Sequence, residues 1–117
     1  MTRYIFLSHS QNDIEKVRKV RDYLENSSFE PILFNLKCLT DSDELSSLIK
    51  REIQARRWFL YLHSKNAAKS PRVQAEVSYA GNLPDKQIFR LNLDQSWFLQ
   101  KIALDRMIKK MKADSGE

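Results

Sequence analysis

The residue best placed to do chemistry in this sequence is Glu76, within Ser70-Pro71-Arg72-Val73-Gln74-Ala75-Glu76-Val77-Ser78-Tyr79-Ala80. That stretch reads as a helix with a defined start. Ser70 can cap the first free amides, and Pro71 at the first helical position forfeits no needed donor. Val73, Val77 and Ala80 recur at helical spacing and mark the inward face. Glu76 lies one turn from both Val73 and Ala80 and is expected at the border of that face. A carboxylate at such a border has a tunable pKa and can still meet a ligand. The helix alone equally allows a plainer role, a surface glutamate whose stem covers apolar neighbours.

Other reactive side chains are few. Ser8 and Ser10 could donate hydrogen bonds to ligand oxygens, or serve in strand-end hydrogen bonding and helix capping. His9 could stack or hydrogen-bond, or be a satisfied structural histidine, and His63 at a strand end fits the structural role better. Two distant histidines and one cysteine make no metal site. Cys38 has no evident histidine partner for nucleophilic work. Lys37 and Lys65 either attract phosphates or solvate their loops, and Trp58 and Trp97 are read as core.

Composition narrows the classes. A chain of 117 residues, 42% hydrophobic and 30% charged, fits a single domain. The net charge of +5 suits an anionic ligand, but no aromatic-basic motif points to nucleic acid. One cysteine excludes an internal disulfide framework and fits a reducing compartment. No apolar run has membrane-spanning length and no signal-peptide pattern opens the chain, so a soluble cytoplasmic domain is expected. The two glycines, Gly81 and Gly116, cannot build a glycine-rich phosphate cradle.

The elements that must position these residues alternate regularly. Tyr4 to Leu7 is a continuous apolar run, the mark of a strand covered on both faces. A helix follows, capped by Asn12 with Glu15 or Ser10 with Asp13, with Ile14, Val17, Val20 and Leu24 inward. Phe29 to Phe34 is the second strand, with Pro31 near its start. Asp41 and Glu44 can cap the next helix, whose inner stripe is Leu45, Leu48, Ile49 and Ile53. Trp58 to Leu62 is the most hydrophobic run and the expected central strand. The polar connection Ser64 to Lys69 leads into the Glu76 helix, closed by Gly81-Asn82. Gln87 to Leu93 is a fourth strand, and a final helix runs from about Ser96 to Met111 with Leu99, Ile102, Ala103 and Met107 inward. Residues 113–117 are expected to fray, leaving one domain over 1–112.

Strand starts near 4, 29, 58 and 87 recur at about the ~30 residues of a βαβ unit. The fold class expected is α/β, a flavodoxin-like three-layer αβα sandwich with a central parallel sheet in order 2-1-3-4, with room for a fifth strand. Such sheets bind ligands beyond the carboxyl ends of their strands where the order reverses, here between the first and third. Ser8 to Asn12, Asn35 to Asp41 and Ser64 to Glu76 arrive there, two of them running into helix N-termini that favour anions.

At these residues the chain resembles a Toll/interleukin-1 receptor (TIR) domain of the bacterial kind. Tyr4-Ile5-Phe6-Leu7-Ser8-His9-Ser10-Gln11-Asn12-Asp13 is similar to the family's first box, an apolar strand followed by Ser-His/Tyr-Ser and an acidic residue. Phe59 to Ser64 resembles the third strand with its trailing serine, Ser70 to Ala80 the helix bearing the glutamate of enzymatically active members, and Ser96-Trp97-Phe98 the last box. The likeness spans about residues 3–98, in order. It departs at two places: Arg72 stands where the family has Trp, four residues before the glutamate, and Leu36 to Ser42 has neither Pro nor Gly.

The resemblance implies cleavage of the nicotinamide–ribose bond of NAD, by hydrolysis or cyclisation, in signalling or immune defence. NAD would be the substrate, with no further cofactor. Glu76 would be the catalytic carboxylate, and Ser8, His9, Ser10, Lys37 and Arg72 would contact the nucleotide, Arg72 through a phosphate. Other TIR domains, including copies of this chain in a homo-oligomer, are the implied partners, with no nucleic acid and no membrane. Two alternatives stand beside it: a non-catalytic TIR–TIR interaction module, and a nucleoside deoxyribosyltransferase-like enzyme that shares the fold and a single carboxylate.

Overall fold

Five residues at the start of the chain set the frame. Tyr4–Ser8 forms strand β1, with every position after Tyr4 buried. Side chains alternate along a strand, so Ile5 and Leu7 face one layer of helices while Phe6 and Ser8 face the other. The computed structural model describes residues 4–32, 42–84 and 86–114. After β1 come a 3-10 turn at Gln11–Asp13, helix α1 (Ile14–Asn26), β2 (Glu30–Ile32), α2 (Ser42–Ala55), β3 (Trp58–His63) and the short α3 (Lys65–Ala68). The chain continues through α4 (Pro71–Gly81), β4 (Gln87–Asn92) and α5 (Trp97–Asp114).

Among the described residues the sheet has four strands in the order β2-β1-β3-β4. All three pairings are parallel, with Phe6 opposite Ile32 and Phe59, and Tyr61 opposite Arg90. The expected order is the observed one. On one side, Ile5, Leu7, Trp58, Leu60, Leu62 and Leu91 pack with Val17, Val20 and Leu24 of α1 and Leu104, Ile108 and Met111 of α5. On the other, Phe6, Phe59 and Tyr61 pack with Ile49 and Ile53 of α2 and Val73 and Ala80 of α4. Phe6 and Phe59 stack with ring centroids 5.5 Å apart. Helices on both faces of a parallel sheet are the α/β three-layer arrangement, flavodoxin-like in its order.

Helix α1 ends without glycine. Ser28 takes a left-handed φ of 72°, and the amides of Ser28 and Phe29 bond back to Glu25 and Leu24 carbonyls. That is the Schellman pattern, and buried Phe29 beside Leu24 supplies its apolar contact. Phe29 also meets Trp58 edge-on, which confirms Trp58 as core. Trp97 is half-buried against Tyr23.

Several expectations are corrected. Leu48 is exposed, because Ile49 and Ile53 already fill the inward face of α2. In α5 the buried stripe is Gln100, Leu104, Ile108 and Met111, while Leu99 and Ile102 are exposed and Ala103 and Met107 only flank the core. Gln100 can be buried because its amide donates to the carbonyls of Leu93 and Gln95. The connection after β3 is helical at Lys65–Ala68, started by the Ser64 hydroxyl accepting from the Ala67 amide. Gly81 is the last residue of α4, and Asn82 beyond it keeps a right-handed φ of −93°. Helix α5 continues through Ala113 to Asp114, whose carboxylate pairs with Arg57. Lys37, Cys38 and the Asp41 cap lie outside the described residues.

Candidate active site at the C-terminal rim of the sheet

Ser8 is the last residue of β1, on the face it shares with Phe6, and so points toward α4. Its hydroxyl donates to Glu76 Oε1 over 2.7 Å. Glu76 stands on the same stripe of α4 as Val73 and Ala80 and is only 8% exposed. It is therefore buried rather than at the border of the helix face. Such burial is tolerable because both oxygens have partners: Ser8 at Oε1, and the Arg72 Nε at 3.9 Å from Oε2. The start of α4 is as expected, with Pro71 in its first turn and the Ser70 hydroxyl accepting from the Val73 amide.

Burial pushes the Glu76 carboxyl above the ordinary glutamate range, while the Ser8 hydrogen bond and the Arg72 charge pull it back. The net direction is upward. A desolvated carboxylate with a single hydroxyl donor interacts strongly with any cation brought to it, since little water screens the pair.

Arg72 joins two segments. Its Nη2 donates to the His9 carbonyl over 3.2 Å, so the guanidinium ties α4 to the loop after β1. His9 is buried, and its Nδ1 donates to the Ser10 carbonyl over 3.1 Å. Burial lowers the His9 pKa, as does the Arg72 charge, against the opposing hydrogen bond to Ser10. Ser10 is buried as well, with its hydroxyl accepting from the Asn12 amide. Of the six residues expected at the site, Glu76, Ser8, His9, Ser10 and Arg72 thus meet at one rim. Ser8 and Arg72 touch Glu76 directly, whereas the His9 and Ser10 side chains make local contacts in the loop. Lys37, the sixth, is outside the described residues.

A cleft of about 530 Å³ opens beside this group, between the loop after β1 and the start of α4, with Ser10, Asn12, Asn66, Lys69 and Arg72 on its walls. A larger cavity of about 860 Å³ lies at the opposite rim, near Arg56, Arg57 and Lys86. There the cations are already engaged, Arg56 with Glu52, Arg57 with Asp114 and Lys86 with carbonyls ending α2. Volume alone would choose that cavity, but among the described residues no carboxylate lines it.

Asp13, which the sequence suggests only as a helix cap, also frames the site. Asp13 does not close a capping box; it is 4% exposed and faces the loop after β3. Its Oδ2 accepts the Ser64 hydroxyl and its Oδ1 the Asn66 amide at 2.9 Å. Ser64 in turn caps α3. This bracket binds the first loop to the third. The signal was present in the spacing, because Asp13 stands one turn before Val17 and extends the inward stripe of α1. Among the described residues no group of three or more His, Cys, Asp or Glu could hold a metal, and no helix is long and apolar enough to cross a membrane.

Comparison with known proteins agrees with this architecture. A search of curated proteins found no match. The family model described as TIR domain matches residues 5–111, running from β1 into the last turns of α5. With the four-stranded parallel order and the Ser-His-Ser loop at its rim, that match over most of the sequence means that the chain belongs to the TIR domain family.

Proposed function

We propose that this TIR domain cleaves the bond between nicotinamide and ribose in NAD, with Glu76 as the catalytic carboxylate. The observation that carries the reading is the buried pair at the C-terminal rim, Ser8 Oγ to Glu76 Oε1 at 2.7 Å. Nicotinamide leaves as a neutral ring from a cationic substrate, so no general acid is required. Positive charge then develops on the ribose, as in glycoside hydrolysis. A carboxylate facing the ribose offsets that charge and accepts hydrogen bonds from its hydroxyls. Ser8 holds Glu76 in place and favours its ionised form, as does Arg72. Arg72 also contacts the nucleotide through a phosphate, and Ser10 stands at the cleft wall. NAD is the substrate and no further cofactor takes part. The domain works as a homo-oligomer with other TIR domains, in the cytoplasm, in signalling or immune defence.

A second reading, a non-catalytic module that docks on other TIR domains, is favoured by one feature. The first turns of α5 expose Phe98, at 67%, together with Leu99 and Ile102. Nicotinamide release by the wild type and by Glu76→Ala, at high protein concentration with a crowding agent, separates the two. Release that disappears in Glu76→Ala supports the enzyme. No release from either protein under assembly conditions favours the docking module, and equal release by both would remove Glu76 from the role of catalytic carboxylate.

A further inference from the structure

The two edges of the sheet differ. β2 is short, Glu30–Ile32, and Pro31 at its centre lacks an amide donor. β4 runs for six residues, Gln87–Asn92, with neither proline nor glycine and with Arg90 as its only charge. The Gln87 amide bonds to the Arg57 carbonyl, and the Leu93 amide to the His63 carbonyl. Backbone groups alternate along a strand, so Gln87, Phe89 and Leu91 turn theirs toward β3. The amides and carbonyls of Ile88 and Arg90 therefore point outward. No strand among the described residues meets them, and both side chains are exposed. Such an edge is a template for another strand.

An apolar stripe runs beside it. Trp97 and Asp105 of α5 meet Tyr23 of α1. Leu99, Ala103 and Met107, one turn apart, thus lie on the flank of α5 turned away from α1, toward the β4 edge. Leu99 is exposed, and Ala103 and Met107 are half-buried. A lone extended peptide would pair with the edge and leave this stripe in water. A second copy related by a two-fold axis covers both, because its own α5 arrives beside the first.

The charges of the strand select one register. Antiparallel pairing needs outward-pointing residues opposite each other. Ile88 opposite Ile88 would set Arg90 against Lys86, and Arg90 opposite itself would oppose like charges directly. Ile88 opposite Arg90 avoids both. Phe89 then faces its own copy at the axis, in a non-hydrogen-bonded pair where side chains approach most closely.

We propose that β4 pairs antiparallel with β4 of a second copy, Ile88 opposite Arg90, giving one continuous sheet with the two α5 helices side by side. This rests on the homo-oligomer of the proposed function and is independent of the role of Glu76. The two-fold puts the catalytic rims at opposite ends of the joined sheet, so neither copy covers the other's Glu76.

The test is sedimentation velocity over about 10 μM to 1 mM for the wild type, Ile88→Pro, Ile88→Thr and Leu99→Glu, each checked for its fold by circular dichroism. The wild type is expected to dimerise. Ile88→Pro removes only an outward donor, so β4 keeps its bonds to β3 while the dimer should weaken about tenfold or more. Ile88→Thr keeps the donor and should stay near the wild type, and Leu99→Glu should weaken the dimer several-fold. Register is read separately in a Cys38→Ser background, by mass spectrometry of disulfide-linked peptides. A mixture of Ile88→Cys and Arg90→Cys proteins should cross-link to each other, and Ile88→Cys alone should not. A monomer throughout, a dimer indifferent to Ile88→Pro, or self-linking of Ile88→Cys would overturn the proposal. A monomer that still releases nicotinamide would remove this interface and leave the catalytic reading standing; a dimer of this register that releases none would do the reverse.

Discussion

Asp13→Ala should be among the most damaging single changes in this domain, although Asp13 stands outside both hydrophobic clusters. The carboxylate accepts two hydrogen bonds, from Ser64 Oγ and Asn66 Nδ2. Hydrogen bonds to a charged group contribute about 1.5–3 kcal/mol each. Relief of the carboxylate's own desolvation recovers part of that sum. Ser64 is fully buried, so its hydroxyl proton has nowhere else to go, although its oxygen still accepts from the Ala67 amide. Asn66 is exposed and can turn to water. The net cost is then about 2–4 kcal/mol. With an unfolding entropy of about 2.1 cal/mol/K per residue, this chain loses roughly 4 °C of Tm per kcal/mol, so a fall of about 8–16 °C is expected. Urea unfolding of wild type, Asp13→Ala, Ser64→Ala and the double variant measures the coupling directly. A coupling of about 1–3 kcal/mol is expected, as for groups in one buried network. Additive effects, or a loss under about 1 kcal/mol for Asp13→Ala, would refute the idea that this bracket holds the two loops together.

Three further outcomes follow from the same contacts. Ser8→Ala removes the donor that lowers the Glu76 pKa, so a carboxyl NMR titration should place that group still higher than in the wild type; an unchanged or lower value would contradict the pairing. His9 is held neutral by burial, with a folded pKa below its unfolded one. Its contribution to stability is therefore fully present above about pH 6.5 and is lost as pH falls through the lower folded value. His9→Gln should flatten that acid slope in urea midpoints measured across the range, and an unchanged slope would sink the assignment. Ser28→Gly should stabilise the protein by about 0.5–1 kcal/mol in thermal melts, because glycine adopts the φ of 72° without a Cβ penalty; destabilisation would mean that Ser28 is held for another reason.

Much of the fold was legible because burial on both faces leaves little ambiguity. Tyr4 to Leu7 and Trp58 to Leu62 are unbroken apolar runs, and the regular return of strands every thirty residues permits few topologies. The same regularity located the rim where Ser8, Arg72 and Glu76 meet. What escaped were polar residues in apolar places. Gln100 lies on the buried stripe of α5, and its polarity shifted the expected face toward Leu99 and Ile102, since apolar residues surround much of that helix. Only its bonds to Leu93 and Gln95 explain its burial. Glu76 was expected half out of the core because a lone carboxylate cannot go deeper. Its partner Ser8 is 68 residues away in sequence, and local periodicity cannot see it. Asp13 was hidden the same way, its partners Ser64 and Asn66 belonging to a loop across the sheet order.

A structure of the domain with a non-hydrolysable NAD analogue would test the central claim most directly. The nicotinamide riboside is expected at the rim between β1 and β3, with a ribose hydroxyl within hydrogen-bond reach of the Glu76 carboxylate and Ser8 still bonded to its other oxygen. An analogue bound with its ribose away from that carboxylate, while Glu76 stays closed between Ser8 and Arg72, would contradict it.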